Sequence, residues 1–296
     1  MRIVSLLPSA TEILFAIGAG GEVVGVTHEC YFPAEVVGLP KLTASSAPPL
    51  RSSGEIDRHV RAAVHAGSSL YHLDSGLLEE LAPDLIVTQE LCAVCAVSYG
   101  IVAEAARSLR SPGEQQIVSL EPSSLEDVFA NIVFLGALTG HAGAAASVVA
   151  ALRERVEAMR RRRAGNDARN ARPPRTLVLE WTDPPMSAGH WLPGLVELAG
   201  GVPLLAHPGR NSQRLGWDAI AAADPDAVVV TPCGFDLERT KSEIAALDGV
   251  LQWRELRARK SRRVLAVDGN AYFSRPGPRL VDSAEILERW YATPSN

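Results

Sequence analysis

Two stretches about 140 residues apart carry the same short pattern. Leu77–Thr88 reads LLEELAPDLIVT and Asp218–Thr231 reads DAIAAADPDAVVVT. Each is a short amphipathic helix stopped by Pro-Asp, followed by an apolar run and a Thr, with a Cys a few residues further on. Proline cannot continue a helix. A helix feeding an uninterrupted apolar strand is the pattern of a parallel sheet buried on both faces. Two copies of the pattern predict two similar α/β lobes, and 296 residues are enough to give each its own core.

The first lobe offers strands at Arg2–Leu7, Val23–Thr27, Leu85–Thr88 and Gln116–Leu120. The second offers Thr176–Glu180, Ala227–Thr231 and Arg263–Val267, with a short strand near Val202–Leu205. Between them Ser124–Arg163 is nearly free of Pro, begins with Ser-Leu-Glu-Asp and ends with four consecutive Arg, charges that suit the two ends of a helix dipole. Read as one helix it would be roughly 60 Å long. Gly136, Gly140 and Gly143 leave open a pair of helices with a turn near Gly140–Gly143. The predicted division is an N-terminal lobe over 1–123, a bridging helix over 124–165 and a C-terminal lobe over 166–296, with the ligand cleft between the lobes.

A net charge of −5 gives no electrostatic footprint for nucleic acid. The 26 Arg against 3 Lys read as base composition rather than function. No apolar run approaches the ~18 residues of a membrane span. Arg2 and Ile3–Leu7 resemble a weak export signal, but Pro8, Ser9, Thr11 and Glu12 fit better as a strand end followed by a capping box, Ser9 being the N-cap and Glu12 its partner. As written, the chain reads as cytoplasmic with reduced thiols. A periplasmic or envelope location follows if a leader was omitted.

All four cysteines fall just beyond predicted strand ends: Cys30 after Val23–Thr27, Cys92 and Cys95 after Leu85–Thr88, Cys233 after Val228–Thr231. The carboxyl ends of parallel strands open onto the ligand crevice, so the four thiols are candidates to face one cleft. Together they form a candidate ligand set for zinc or an iron–sulfur cluster. A lone CxxC also fits two small residues in a strand-to-helix turn.

RIVSLLPSATEILFAIGAG, VVGVTHECYFP and LEELAPDLIVT resemble the opening lobe of the class III substrate-binding proteins of ABC importers. LVLEWTDPPMSAGHWLPGLVELAGG, DAIAAADPDAVVVT and VLAVDGNAYFSRPGPRLVDSAEIL are similar to the second lobe, closest to the vitamin B12-binding members. The resemblance covers nearly the whole chain in order. It implies two Rossmann-like lobes joined by a long helix and a metal-containing ligand, cobalamin or another corrinoid, lying flat between them. It also implies that Tyr272, Phe273 and Arg275 contact the ligand, that Met186 offers it an apolar side chain, and that Glu29 stands where the B12 binders have a tyrosine. Importer docking uses one surface carboxylate per lobe. The second position is filled by Asp218, while the first aligns with Gly76, with Asp74 and Glu79 close by.

Several further residues fall on the predicted site loops. His28 and His190 are candidate metal ligands. Trp181 and Trp191 are candidate stacking surfaces. Pro8, Ser9 and Thr11 open a helix whose free N–H groups suit an anionic group. Glu90, Glu180 and Asp183 add carboxylates at strand ends, but no activated nucleophile, triad or phosphate-binding glycine loop accompanies them, so catalysis is not expected. The sequence therefore predicts a non-enzymatic α/β binding protein for a corrinoid. The alternative is a cytoplasmic protein, catalytic or a carrier, that holds a zinc ion or iron–sulfur cluster through Cys30, Cys92, Cys95 and Cys233.

Overall fold

The structure, a computed structural model of the full chain, describes residues 1–48, 52–66, 70–89, 99–107, 115–167 and 172–293. The chain forms two compact units. The first comprises Met1–Leu50, Arg58–Glu121 and Asp127–Ala150, and the second Arg51–Asp57, Pro122–Glu126 and Ala151–Asn296.

The elements of the first half are β1 (Ile3–Ser5), α1 (Pro8–Ala16), β2 (Val23–Val26), β3 (Thr43–Ser45), α2 (Ser53–His65), β4 (Tyr71–Leu73), α3 (Ser75–Leu81), β5 (Leu85–Thr88), α4 (Tyr99–Arg107), β6 (Gln116–Ser119), α5 (Leu125–Leu138) and α6 (Ala142–Asp167). The second half follows with β7 (Arg175–Thr182), β8 (Pro185–Ser187), α7 (Leu192–Leu198), β9 (Val202–Pro203), α8 (Trp217–Ala223), β10 (Ala227–Val230), α9 (Leu237–Leu247), α10 (Leu251–Glu255), α11 (Arg257–Lys260), β11 (Val264–Ala266) and α12 (Leu280–Ala292).

The first sheet runs β2-β1-β5-β6 with every pairing parallel. In the second, β11-β10-β7 are parallel, β9 pairs parallel with the start of β7, and β8 pairs antiparallel with its end. The two sheets share one plan. β1 and β7 each have their next parallel partner, β2 or β9, on one side, and the later pair, β5-β6 or β10-β11, on the other. The strands are fully buried where the sequence runs apolar, at Leu85–Thr88 and Ala227–Val230. A separate antiparallel pair, β3 with β4, was not visible in the sequence, because three residues each are too few to show alternation.

The repeated Pro-Asp has a specific role. In the first unit, the Asp84 carboxylate accepts the backbone N–H of Arg2 at 2.6 Å, Asp84 N–H donates to the Arg2 carbonyl at 2.8 Å, and Arg2 Nε donates to the carbonyl of Leu81 at 2.7 Å. In the second, Asp226 accepts the N–H of Arg175 at 2.9 Å, its own N–H donates to the Arg175 carbonyl at 2.8 Å, and Arg175 Nη2 reaches the carbonyl of Ala223 at 2.9 Å. Both helices end on a left-handed residue, Ala82 at φ 41° and Asp224 at φ 42°, immediately before the proline. Each unit thus fixes the start of its first strand against the start of its third parallel neighbour through the same clasp, and the guanidinium caps the helix carbonyls left open at the C-terminus.

Two expectations are corrected. The stretch read as one bridging helix is two, α5 and α6, with Gly140 between them at φ 78°. The left-handed conformation ends α5, and His141 N–H closes onto the Gly136 carbonyl at 2.7 Å. Gly136 is also obligatory, since a Cβ there would lie 2.3 Å from that of Ala145 in α6. The second correction concerns the capping box. Leu7, with no side-chain bond, is the N-cap of α1, and Pro8 takes the first helical position, where its fixed φ and missing N–H suit the helix start. Ser9 and Glu12 are therefore buried one step further into the helix.

From Ala151 onward α6 belongs to the second unit and is tied to α12 by arginines. Arg155 bonds both carboxylate oxygens of Glu285, at 3.0 and 2.9 Å, and also reaches Asp282. Arg162 bonds both oxygens of Glu288, at 2.9 and 2.7 Å. The Arg155 hydrogen bond holds the Glu285 carboxyl below its ordinary range, as expected for a forked pairing.

Replacing Asp84 or Asp226 with Ala leaves the strand-leading N–H of Arg2 or Arg175 without its acceptor. Each substitution should lower stability by about 1–3 kcal/mol, measured as a shift of the urea midpoint at unchanged slope.

Candidate functional site

In open parallel sheets the ligand position is the carboxyl edge at the point where successive connections run in opposite directions. Here those points are the ends of β1 and β7.

The edge of the first unit is a ladder of buried hydroxyls: Ser5, Thr11, Thr27, Thr43 and Thr88. Thr11 Oγ1 donates to Ser5 Oγ at 2.8 Å and lies 3.2 Å from Cys30 Sγ. Thr27 and Thr43 bond each other at 2.8 Å, and His28 Nδ1 bonds Thr43 Oγ1 at 2.7 Å. His28 Nε2 lies 3.4 Å from the Glu29 carboxylate, and its ring rests tilted against Tyr71. Pro8 remains partly accessible at the end of this ladder, while Ser9 is buried.

The edge of the second unit is built on a bulge. The pairing of β7 with β8 shifts register between Leu179 and Trp181, which places Trp181 opposite Met186. Both side chains are half-buried. The Trp181 Nε1–H donates to the Asp183 carbonyl at 3.1 Å, and the indole meets Phe235 edge-on at 5.4 Å between centroids. Arg239 lies over Phe235 at 3.8 Å, a cation–π contact that fixes the ring.

Glu180, the residue skipped at the bulge, turns its carboxylate inward and accepts from Gly189 N–H at 3.2 Å and Ser212 Oγ at 2.6 Å. Burial pushes its carboxyl above the ordinary range, against the effect of those two bonds. It thereby joins the turn after β8 to the loop before α8. That loop is pressed close: a Cβ on Gly189 would lie 2.4 Å from Ser212 N. His190 follows at φ 51°, with its N–H on the Arg210 carbonyl at 2.6 Å. Burial holds its imidazole below the usual range, opposed by a bond with Asn211, so the ring is neutral at pH 7.

The segment 268–275 completes this edge. Asp268 caps it by accepting Ala271 N–H at 2.6 Å. Gly269 lies so near the chain after β10 that a Cβ would stand 2.5 Å from the Pro232 carbonyl. Arg275, nearly buried, donates to Asn270 Oδ1 at 2.7 Å. Tyr272 is half-buried, with the Arg279 guanidinium 5.4 Å over its ring. Phe273 is wholly buried, and Trp191 donates its Nε1–H to the Phe273 carbonyl at 2.9 Å. These two rings are core residues of the unit, whereas Trp181, Met186 and Tyr272 keep accessible surface. His190 Nε2, Thr231 Oγ1 and Ser274 Oγ are buried polar atoms at this edge without a hydrogen-bond partner among the described residues.

The metal reading gains no geometry. Cys30 is buried in the first unit and Cys233 half-buried in the second. Cys92, Cys95 and Glu90 lie outside the described residues. Among the described residues no group of three or more His, Cys, Asp or Glu side chains is arranged to hold a metal ion. Sequence reasoning missed Ser212, Asn211 and Ser274, which lie in polar loops without periodicity. Thr231 was visible as the Thr that ends the repeated strand. Of the docking candidates, Asp218 is exposed in the first turn of α8 and accepts from Gln252 at 3.0 Å. Gly76 occupies the matching turn of α3, and Asp74 is the exposed N-cap of that helix, accepting Leu77 N–H at 2.9 Å.

Comparison with known proteins agrees with this plan. A match to the periplasmic binding protein family spans residues 3–271. The chain belongs to that family, and its two α/β lobes with mainly parallel sheets are the family's fold. It is 25% identical over 292 residues to an uncharacterized ABC transporter substrate-binding lipoprotein, YvrC, of Bacillus subtilis, covering 97% of this chain and 78% of that one. It is 26% identical over 284 residues to a cobalamin-binding protein of Halobacterium salinarum, covering 95% of this chain and 66% of the relative. A periplasmic heme-binding protein from Pseudomonas aeruginosa has the same fold, with a TM-score of 0.72 at 20% identity over 100% of this chain and 94% of that one. Family membership supports a substrate-binding, non-enzymatic role at the level of the family. Neither an iron–sulfur cluster nor a cytoplasmic location gains support from these relatives. Among the described residues no helix is long and apolar enough to cross a membrane.

Because the Glu180 carboxyl is raised in the folded state, the folded protein binds its proton more tightly than the unfolded chain. Stability from this group is present at low pH and falls as pH rises from the ordinary carboxylate range through the raised value. Urea unfolding across that range should show this loss in the wild type and not in Glu180→Gln. At pH 7 the Gln variant should be the more stable, since the amide keeps an acceptor for Gly189 without a buried charge.

Proposed function

We propose that the protein is the solute-binding component of an ABC importer and that its cargo is a corrinoid, cobalamin or a close relative. The observation that carries this reading is the carboxyl edge of the second unit. There a half-buried Trp181–Met186 pair adjoins buried polar atoms that lack partners, with Tyr272 and Arg275 on the segment that closes the same edge. In a native protein a buried polar atom without a bond marks a place where water or a ligand completes it. A flat macrocycle with amide side chains suits such a surface, since rings and a thioether cover its face while hydroxyl, imidazole and guanidinium groups meet its periphery.

The cobalamin-binding relative supports the corrinoid, and the lipoprotein relative supports a place at the cell envelope beside a permease. The first unit carries its own polar edge, the hydroxyl ladder with Pro8, Ser9, Thr11, His28 and Glu29 along it. Asp218 on α8, with Asp74 ahead of α3, presents carboxylates for a basic permease surface.

Titration with cyanocobalamin and, separately, with hemin tests the assignment. Saturable binding of cyanocobalamin, weakened roughly tenfold or more by Trp181→Ala, is the expected result. Tight hemin binding with none of cyanocobalamin would overturn the corrinoid while leaving the binding-protein class intact.

A further inference from the structure

The pairing of β7 with β8 continues one segment further. Ser187 N–H donates to the Gln213 carbonyl at 2.9 Å and Leu215 N–H to the Pro185 carbonyl at 2.8 Å. These bonds set Met186 opposite Arg214 in an antiparallel bridge. They flank the pair and do not join it, so it is of the non-hydrogen-bonded kind, in which facing side chains stand closest. Residues directly opposite one another in antiparallel strands share a face. On its other side Met186 is opposite Trp181. Trp181, Met186 and Arg214 therefore form one row on one face: an indole, a thioether and a guanidinium.

The backbone around the cation is fixed. Glu180 accepts the Ser212 hydroxyl at 2.6 Å, Ser187 Oγ accepts Gln213 N–H at 3.3 Å, and the Arg210 carbonyl accepts His190 N–H at 2.6 Å. Segment 210–215 is thus tied to β7, to β8 and to the turn after β8.

The guanidinium keeps capacity for a further partner. Its side chain is 44% exposed, and its hydrogen bond among the described residues is from Nη2 to Asp57 at 2.5 Å. Arginine carries five N–H donors in a planar fork. One carboxylate therefore orients the group and leaves donors for a second acid. Arg155 of the same unit shows such an arrangement filled, bonding Glu285 and Asp282 at once. An exposed arginine in a loop is ordinarily no more than solvated, and a surface pair adds little stability. What sets Arg214 apart is its place at the end of an apolar row on a fixed backbone.

We infer that Arg214 is a cargo-binding residue that takes an anionic oxygen group, phosphodiester or carboxylate, on the rim of a macrocycle whose face lies over Trp181 and Met186. The inference rests on the proposed reading of this edge as the cargo surface and deepens it: the cargo is a flat apolar ring with an acid at its edge. Indole and thioether cover the apolar part, and a guanidinium fork matches two oxygens of one acid.

Two pairs of probes test it, each pair differing in the anionic group. Cyanocobalamin is compared with dicyanocobinamide, which lacks the nucleotide and its phosphodiester, and hemin with its dimethyl ester. The readout is the ratio of affinities within a pair, so a variant that merely loosens the edge lowers both members and leaves the ratio unchanged. Arg214→Gln should lower the ratio about tenfold or more. Arg214→Lys, which keeps the charge without the fork, should lower it less. A fall in the cyanocobalamin ratio assigns the phosphodiester, and a fall in the hemin ratio the propionate carboxylates. Ratios that neither substitution changes would overturn the anion site and leave the proposed cargo standing. Binding of neither macrocycle by the wild type would overturn the proposed cargo and the anion site with it.

Discussion

The clasp between Pro-Asp and the arginine that leads each first strand is the constraint on which both units rest. A parallel pair has no hairpin to set its register. Register must come from contacts at the strand ends, and here it comes from one aspartate. Its carboxylate and its N–H bond the N–H and carbonyl of the same residue, Arg2 or Arg175. That pair of hydrogen bonds fixes Ile3 opposite Leu85 in one sheet and Thr176 opposite Ala227 in the other. Once register is fixed, Ser5 and Thr88 in one unit, and Trp181 and Thr231 in the other, are carried to the carboxyl edges where binding groups belong. The arginine side chain caps the preceding helix in the same motion, so helix end and strand start are one joint.

This joint explains why so much of the fold was legible. Proline, aspartate and a run of apolar residues are strong local signals, and they recur in both halves, so the strands at Leu85–Thr88 and Ala227–Val230 emerge from the residues with little error. The strands at Arg2–Leu7 and Arg263–Val267 were legible in kind but read longer than they are, since only Ile3–Ser5 and Val264–Ala266 form strand. The helix break at Gly140 was an open alternative. It is decided by a tertiary contact, Gly136 against Ala145, that no local propensity reports. The misplaced cap at Ser9 has a different cause: Ser-x-x-Glu is a real signal, but Pro8 one residue earlier is a stronger one.

The site was less legible because its residues do not act where they lie in the sequence. Trp181, Met186 and Tyr272 were visible as types on predicted loops and do keep accessible surface. Phe273 and Trp191, equally plausible by type, are bound to each other through the indole N–H and the backbone carbonyl, and form core. Glu180 looked like a possible acid or base. The bulge turns it inward, where it serves to hold two loops together. A register shift is a property of a pair of strands, and nothing in either strand alone announces it. The same holds for Glu243, an unremarkable glutamate on a helix until Ser53, from 190 residues away, meets it.

Three glutamates show how one residue type performs opposed tasks in this unit. Glu285 is matched by a guanidinium fork and is stabilised in its charged form. Glu180 is met by one hydroxyl and one amide, too few to offset its burial, so its proton is held more tightly than usual. Glu243 gathers a helix N-terminus and two hydroxyls on its two oxygens. The difference is in the donors and not in the acid. A forked cation ties α6 to α12 through charged hydrogen bonds, whereas Glu180 and Glu243 meet neutral donors. Along α6 and α12 the ties are forked ion pairs, whereas at the carboxyl edge of the same unit Glu180 and Glu243 are held by neutral donors.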